Sequence, residues 1–327
     1  MKYMKRGKTD INVSVIGFGT WGLGGGNVWS DMKPDAVQTS ALLDEAEALG
    51  INYIDTAPVY GMGTSEKLLA EALNGRRDHF ILQTKCSLNW RNEGGNFHYE
   101  RDGYTVNNDT RATAVRKDVE DSLTRLHTDY IDVLAVHYVC HSWPVQETME
   151  ALSQLKKEGK IRAIALSNSQ PADLDEYQKY GTIAAVQEQF SLISPQHGNE
   201  YFDTCRKYGT AFQGYGILEE GFLTSSDYAD REFPASDVRG QMPWTHDPQK
   251  AALHKLFEST LIPMSRAHHC SVSNLVQAWT LKQYPDLNLL TGFRHAETMR
   301  DTVKCLDISL SEQELLSITN AAHLVQQ

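Results

Sequence analysis

Eight short apolar runs, each rich in β-branched or aromatic residues and each followed by turn-prone or helical sequence, recur along the 327-residue chain. They occupy residues 13–19, 51–55, 79–85, 130–137, 161–168, 183–189, 210–216 and 287–292. Near-continuous apolar character over so few residues fits strands buried on both faces. Helical patterning separates them. Val115, Val119, Leu123 and Leu126 fall on one helical face, as do Val145, Met149 and Leu152 ahead of Lys156, Lys157 and a capping Gly159.

Parallel strands need crossover helices that cover both faces of the sheet. The expected fold is therefore α/β, a single (β/α)8 TIM barrel forming one domain over residues 1–327, with a short N-terminal β-hairpin. An extra C-terminal helix is expected from the capping box Ser311-x-x-Glu314. In such barrels the loops after the strands share one face, where chemistry is assembled from several strand ends.

One motif points elsewhere. Gly17-Phe-Gly19-Thr-Trp-Gly22 satisfies the dinucleotide fingerprint G-x-G-x-x-G and follows a predicted strand. That fingerprint needs a helix starting at the glycines and an acidic residue about 20 positions on. Here Gly22-Leu-Gly-Gly-Gly26 and Trp29 follow, and the next helix waits for Pro34. A two-domain dinucleotide-binding fold is accordingly rejected.

Asp55, Tyr60, Lys85 and His137 stand at or just beyond the ends of three of the predicted strands. Taken singly, each has a structural reading: an ion pair between strands, a loop aromatic, a core histidine. Together, on the face where barrels place chemistry, they read as a catalytic centre. Net charge bounds the partners. With 31 Lys+Arg against 42 Asp+Glu, the chain carries −11, which disfavours nucleic acid and anionic membranes. Residues 1–10 lack the apolar stretch of a signal peptide and no run reaches membrane-spanning length, so a cytoplasmic protein is expected. Five cysteines without metal-like spacing read as free thiols, and His268-His269-Cys270 reads as a helix end; no metal site is expected.

The segment Asp55-Thr-Ala-Pro-Val-Tyr60-Gly61 with Ser65-Glu66, followed by Lys85, His137, Gly159-Lys-Ile-Arg162, Ser167-Asn168, Gln187 and Tyr215, closely resembles the aldo-keto reductases. The resemblance runs from the first strand to about Leu310. It implies a barrel that reduces carbonyls with a nicotinamide dinucleotide. A carbonyl receiving hydride needs a proton donor, for which Tyr60 is the candidate. Lys85 would supply a cation that favours the phenolate, and Asp55 would fix Lys85. His137 would hydrogen-bond the carbonyl or relay the proton, and both roles stay open.

The resemblance also places the cofactor. Ser167, Asn168 and Gln187 match nicotinamide-holding positions, and Tyr215 matches the aromatic that stacks on the ring. Gly216-Ile217-Leu218 replaces the usual Ser-Pro-Leu, so backbone N–H groups of Gly216 and Leu218 must serve the pyrophosphate. Gly292-Phe-Arg294-His295 aligns with the 2′-phosphate segment, and Arg294 suits that phosphate. Thr298 and Thr302 stand where Gln or Arg and Asn are usual. NADP(H) is favoured on Arg294, with NAD(H) as the alternative.

Substrate preference is expected from Trp21, Trp29, Trp90 and His141, and from a long loop between Lys85 and Thr110 that carries Phe97 and His98. Aromatic platforms mixed with polar groups suit a small polar carbonyl, sugar or polyol-related compound. Residues 218–270 either fold over the cofactor or form a solvent-exposed insertion. Two other functions remain: a non-catalytic cofactor-binding regulatory subunit, and a lyase or isomerase using Lys85 as a Schiff-base nucleophile. Oligomeric state is not legible.

Overall fold

The computed structural model of the chain describes residues 1–25, 28, 29, 33–91 and 93–326. An antiparallel hairpin of β1 (Tyr3–Lys5) and β2 (Asn12–Ser14) precedes a closed barrel. The barrel strands are β3 (Ile16–Gly19), β4 (Tyr53–Asp55), β5 (Ile81–Cys86), β9 (Ile131–Val136), β10 (Ile161–Ser167), β11 (Ile183–Gln189), β12 (Ala211–Tyr215) and β13 (Leu287–Gly292). They are all parallel and close in that order, β13 pairing with β3. A three-stranded antiparallel ribbon of β6 (Leu88–Asn89), β7 (Asn96–Arg101) and β8 (Tyr104–Asn108) leaves the barrel after β5.

The helices are α1 (Ala36–Ala48), α2 (Thr64–Ala72), α3 (Ala112–Leu126), α4 (Val145–Lys157), α5 (Pro171–Tyr177), α6 (Gln196–Tyr208), α7 (Gln249–Leu256), α8 (Ile262–Ala267), α9 (Val272–Thr280), α10 (Ala296–Thr302) and α11 (Glu312–Ala322). Among the described residues no helix is long and apolar enough to cross a membrane.

Alternation along each strand separates two cores. Outward side chains such as Ile54, Leu82, Leu134, Leu166, Val186 and Phe212 pack with the helices in one large apolar cluster. Inward positions are mostly small, with Val133, Ala135, Ala163, Ala165, Ala185 and Ala211 filling the barrel beside Tyr53. Ile11, Val13 and Met4 of the hairpin join this inner cluster, so the hairpin plugs the N-terminal end of the barrel.

Three expectations change. The run 13–19 is split, because Val13 pairs with Met4 in the hairpin while Ile16–Gly19 enters the barrel; between them Val15 donates to the Lys2 carbonyl at 2.9 Å. The loop after Lys85 is the antiparallel ribbon, closed by Asp102 and Gly103 at φ 52° and 78°, the left-handed pair of a two-residue hairpin turn. Residues 218–270 contain short 3₁₀ turns and the helices α7 and α8.

Other features agree. Trp21–Gly24 forms a short 3₁₀ turn, not the helix a dinucleotide fingerprint requires, and α1 starts only after Asp35 caps Gln38 N–H at 2.7 Å. Gly26 lies outside the described residues. Gly159 follows α4 at φ 76°, His268 ends α8, and the Ser311–Glu314 capping box opens α11.

Candidate active site

Strand register brings the first residues together. Asp55 at the end of β4 lies opposite Gln83 on β5, and Lys85, two residues further, shares Gln83's inward face. Lys85 is 1% exposed. Its Nζ donates to Asp55 Oδ2 at 2.7 Å, to the Thr56 carbonyl at 2.9 Å and to Tyr60 Oη at 2.9 Å. All three ammonium protons are thus used, and the phenol oxygen accepts one of them. The Tyr60 O–H remains a donor.

Tyr60 sits in the turn after β4, its N–H bonded to the Ala57 carbonyl at 3.1 Å. The glycine-rich stretch explains how that turn is held. Gly61 has φ 63°, and a Cβ there would run into the Gly24 carbonyl; one on Gly24 would lie 2.7 Å from the Gly61 nitrogen. Two missing side chains let the Trp21–Gly24 turn lie directly on the Tyr60 turn. Trp21 then faces Tyr60 at 6.4 Å, and Trp29 meets Trp21 edge-on at 4.9 Å.

His137 follows β9, its N–H bonded to the Cys86 carbonyl at 2.9 Å. Its ring stands nearly perpendicular to that of Tyr60, 6.0 Å away. The Nδ1 atom is buried without a hydrogen-bond partner among the described residues.

The electrostatics revise one expectation. Burial raises the Tyr60 phenol well above its ordinary value, and Asp55, then Tyr138 and Tyr99, add to this. Tyr60 therefore holds its proton until something takes it. Burial lowers the Lys85 ammonium, while Asp55 opposes that shift. His137 is held well below the usual imidazole value by burial, then by Lys85 and His98. It is a neutral ring.

The expected nicotinamide residues also converge. Tyr215 at the end of β12 donates from Oη to Asn168 Oδ1 at 2.6 Å. Asn168 Nδ2 in turn donates to the His137 carbonyl at 2.9 Å and to Ser167 Oγ at 3.1 Å. Ser167 Oγ reaches Gln187 Oε1 at 3.4 Å, and Gln187 Nε2 donates to Asp55 Oδ1 at 2.8 Å. Amide and hydroxyl groups beside an aromatic ring form the donor set a carboxamide and a flat ring need. At the rim, Gly216 turns at φ 67°, and a Cβ on Gly292 would meet only the Gly19 carbonyl at 3.6 Å. Leu218 is half-buried, its carbonyl accepting from Gly221 at 2.9 Å. These residues fit a nicotinamide dinucleotide. On the adenine side Arg294 is half-buried, its carbonyl accepting from Gln38 Nε2 at 3.0 Å. Thr298 is exposed on α10, whereas Thr302 is buried.

Two substrate candidates have further partners, although Trp90 packs on the same small apolar cluster as Tyr60 and Tyr138. Trp90 lies under Arg125, 5.6 Å from the guanidinium, in a small cavity with Arg91 and Asp118. His141 is exposed and bonds Asp173 Oδ1 at 2.7 Å, beside the capping box of α5. The ribbon instead supplies His98, whose ring is 4.5 Å from Tyr138, itself 5.4 Å from His137. Sequence reading also missed Gln83 and Gln213, which bond around Asp55. Each lies two residues before a singled-out residue, Lys85 or Tyr215, and so on its inward face.

The Aldo/keto reductase family model matches residues 15–323. An NADH-specific methylglyoxal reductase of Escherichia coli (strain K12) is 32% identical, with 100% of both chains covered. The aldo-keto reductase YhdN of Bacillus subtilis (strain 168) is 32% identical over 86% of this chain and 82% of its own. Among solved structures, the glycerol dehydrogenase AKR11B4 of Gluconobacter oxydans superposes with a TM-score of 0.87 at 28% identity, covering 99% of this chain and 96% of that one. The extent of these matches, with the closed barrel, gives the conclusion: the chain belongs to the aldo/keto reductase family and is an NAD(P)H-dependent oxidoreductase.

Proposed function

We propose that the protein reduces small polar carbonyl compounds, related to sugars or polyols, to alcohols, with Tyr60 as the general acid and NADH as the preferred cofactor. The observation that carries this reading is the triple donation of Lys85 to Asp55, Thr56 and Tyr60. A protonated phenol whose oxygen already accepts a lysine proton is set to release its own to a developing alkoxide. The phenolate left behind is stabilised by Lys85, itself held by Asp55. A positioned acid of this kind contributes about 10²–10⁴-fold. His137, neutral and close to Tyr60, polarises the carbonyl as a hydrogen-bond donor. The bound nicotinamide supplies the hydride, while Ser167, Asn168, Gln187 and Tyr215 would hold its carboxamide and ring.

Trp21, Trp29, Tyr138 and His98 form a wall of aromatic faces with polar edges, which supports a small polar substrate. The relatives' names, methylglyoxal reductase and glycerol dehydrogenase, point the same way. The cofactor reading moves from NADP(H) to NAD(H). Thr298 and Thr302 add no charge beside Arg294, Thr302 is buried, and the Escherichia coli relative is NADH-specific. Schiff-base chemistry is disfavoured by an amine that is 1% exposed with every proton engaged. An assembled acid group argues likewise against a purely regulatory subunit. The same reading takes residues 1–327 as one working unit, acting in the cytoplasm, to which five free cysteines conform.

The test follows oxidation of NADH and NADPH with methylglyoxal, glyceraldehyde and a bulky apolar ketone. The expected order is NADH above NADPH and the small carbonyls above the ketone, in kcat/KM. A large preference for the bulky ketone would sink the substrate reading. Saturable cofactor binding without turnover would favour the regulatory subunit.

A further inference from the structure

Arg6 follows strand β1 in the hairpin that plugs the barrel, and it is 0% exposed. Its backbone is fixed by an N–H bond to the Ile11 carbonyl at 2.8 Å and by Gly7, whose φ of 56° and contact with the Ala184 carbonyl exclude any side chain. The guanidinium lies over the Tyr53 ring at 4.9 Å. One terminal nitrogen donates to Gln213 Oε1 at 2.7 Å and to Gln83 Oε1 at 3.2 Å. The other terminal nitrogen and Nε are buried without a hydrogen-bond partner. Among the described residues Arg6 forms no ion pair.

The two glutamines lead to the candidate active site. Gln83 Nε2 donates to Asp55 Oδ1 at 2.6 Å, and Gln187 Nε2 donates both to that oxygen and to Gln213 Oε1, each at 2.8 Å. Register builds this layer, since Asp55 is opposite Gln83, and Gln187, Gln213 and Asn288 are opposite one another in turn. Counting charges along the relay leaves Arg6 and Lys85 against Asp55 alone, an excess of one positive charge inside the barrel. Burying an unpaired guanidinium is costly, and arginine stays protonated in proteins. A compensating anion forms at the far end of this relay, on the phenol that Lys85 holds, when Tyr60 gives up its proton.

We infer that Arg6 is a positioning residue that orients Asp55 through Gln83 and Gln213 and whose unpaired charge stabilises the phenolate left on Tyr60. This rests on the reading of Tyr60 as the acid. Other groups face the same centre: Tyr53 and Asp55 act on Arg6; Asp55, Tyr138 and Tyr99 act on Tyr60; Asp55, Glu66 and Tyr138 act on Lys85. Of these, Arg6 is the one whose charge has no carboxylate paired to it.

The test compares wild type, Arg6→Met, Arg6→Gln, Arg6→Lys and Tyr60→Phe in pH profiles of kcat/KM for glyceraldehyde reduction and glycerol oxidation, with NADH affinity measured by fluorescence. Removing the charge makes the phenolate harder to form. The limb assigned to Tyr60 moves up by about one pH unit in both neutral variants, the size of one charge in an effective dielectric of about 20. Reduction then persists to higher pH and oxidation begins at higher pH. NADH affinity is unchanged, and Arg6→Lys returns the limb toward wild type. A uniform loss of rate with the limb in place, or an equal effect of lysine and methionine, overturns the proposal. So does failure of both neutral variants to fold while Arg6→Lys folds, which assigns Arg6 to the fold alone. Wild-type turnover in Tyr60→Phe would bring down the acid reading, and this inference with it. An inactive Tyr60→Phe beside an unmoved Arg6→Met limb would bring down this inference alone.

Discussion

Thr84 and Lys85 are neighbours on β5, point to opposite faces of the barrel wall, and each meets a buried carboxylate. Outside, Thr84 Oγ1 donates to Glu66 Oε1 at 2.7 Å, and Arg125 Nε pairs with Glu66 Oε2 at 2.6 Å. Inside, Lys85 pairs with Asp55 at 2.7 Å. By charge and distance the two pairs are close to equivalent, although Arg125 is 17% exposed and Lys85 1%. They differ in what else the cation touches. Arg125 covers Trp90 and ties α3 to α2, whereas Lys85 gives a third proton to a phenol at the barrel mouth. A buried ion pair is thus not in itself a sign of chemistry, and relative to an apolar pair it takes either sign in stability. On the proposed function, the outer pair belongs to the fold and the inner one to the reaction.

The largest effect that separates the two pairs is expected from Lys85→Met. Steady-state NADH oxidation with methylglyoxal should fall by about 10³-fold, within the range of a lost acid–base group, and the stranded Asp55 charge should also cost about 3 kcal/mol in urea unfolding. Arg125→Met should share the loss of stability but not the loss of rate. It strands the buried Glu66 charge and costs about 3 kcal/mol in urea unfolding, while kcat stays within about threefold. Matching losses of rate in the two variants would erase the distinction.

A smaller effect tests the neutral imidazole of His137. Its folded value lies below its unfolded value, so the stability it contributes is present above about pH 6.5 and lost as pH falls below it. Between pH 7 and 5.5 wild type should lose about 1 kcal/mol more than His137→Phe, read by unfolding at each pH. Equal slopes would show that the ring protonates in the folded protein. Of similar size, and away from both pairs, is Ser311→Ala, which removes the cap of α11. It should cost about 1 kcal/mol with unchanged kcat/KM.

Much of the fold was legible because parallel barrel strands are apolar on both faces and leave uninterrupted runs. The two ends of the barrel were less so. Val13 continues the apolar run into β3, and only pairing with Met4 assigns it to the hairpin. Strand β7, Asn-Phe-His-Tyr-Glu-Arg, is exposed at four of its six positions, and the short alternation of Phe97 and Tyr99 gives it no buried face. Its one local signal was Asp102-Gly103, a two-residue turn that brings β7 back against β8. In the site, Asp55, Tyr60, Lys85 and His137 could be picked out because polar residues closing apolar strands are conspicuous. Gln83, Gln213 and Arg6 could not, because a polar residue within a strand or turn ordinarily faces water. Only the closed barrel turns these three inward to meet. His141 shows the converse, bonded to Asp173 of α5, since loop position alone does not say whether a side chain faces the mouth or a neighbouring helix.

The most direct measurement of the central claim is NADH-dependent turnover of methylglyoxal by Tyr60→Phe beside wild type, with NADH affinity recorded for both. Loss of one hydroxyl held by Lys85 should lower kcat/KM by about 10²–10⁴-fold and leave NADH binding as it was. Turnover within a few-fold of wild type would contradict the account, leaving the Asp55–Lys85 pair as structural as its counterpart on the outer face.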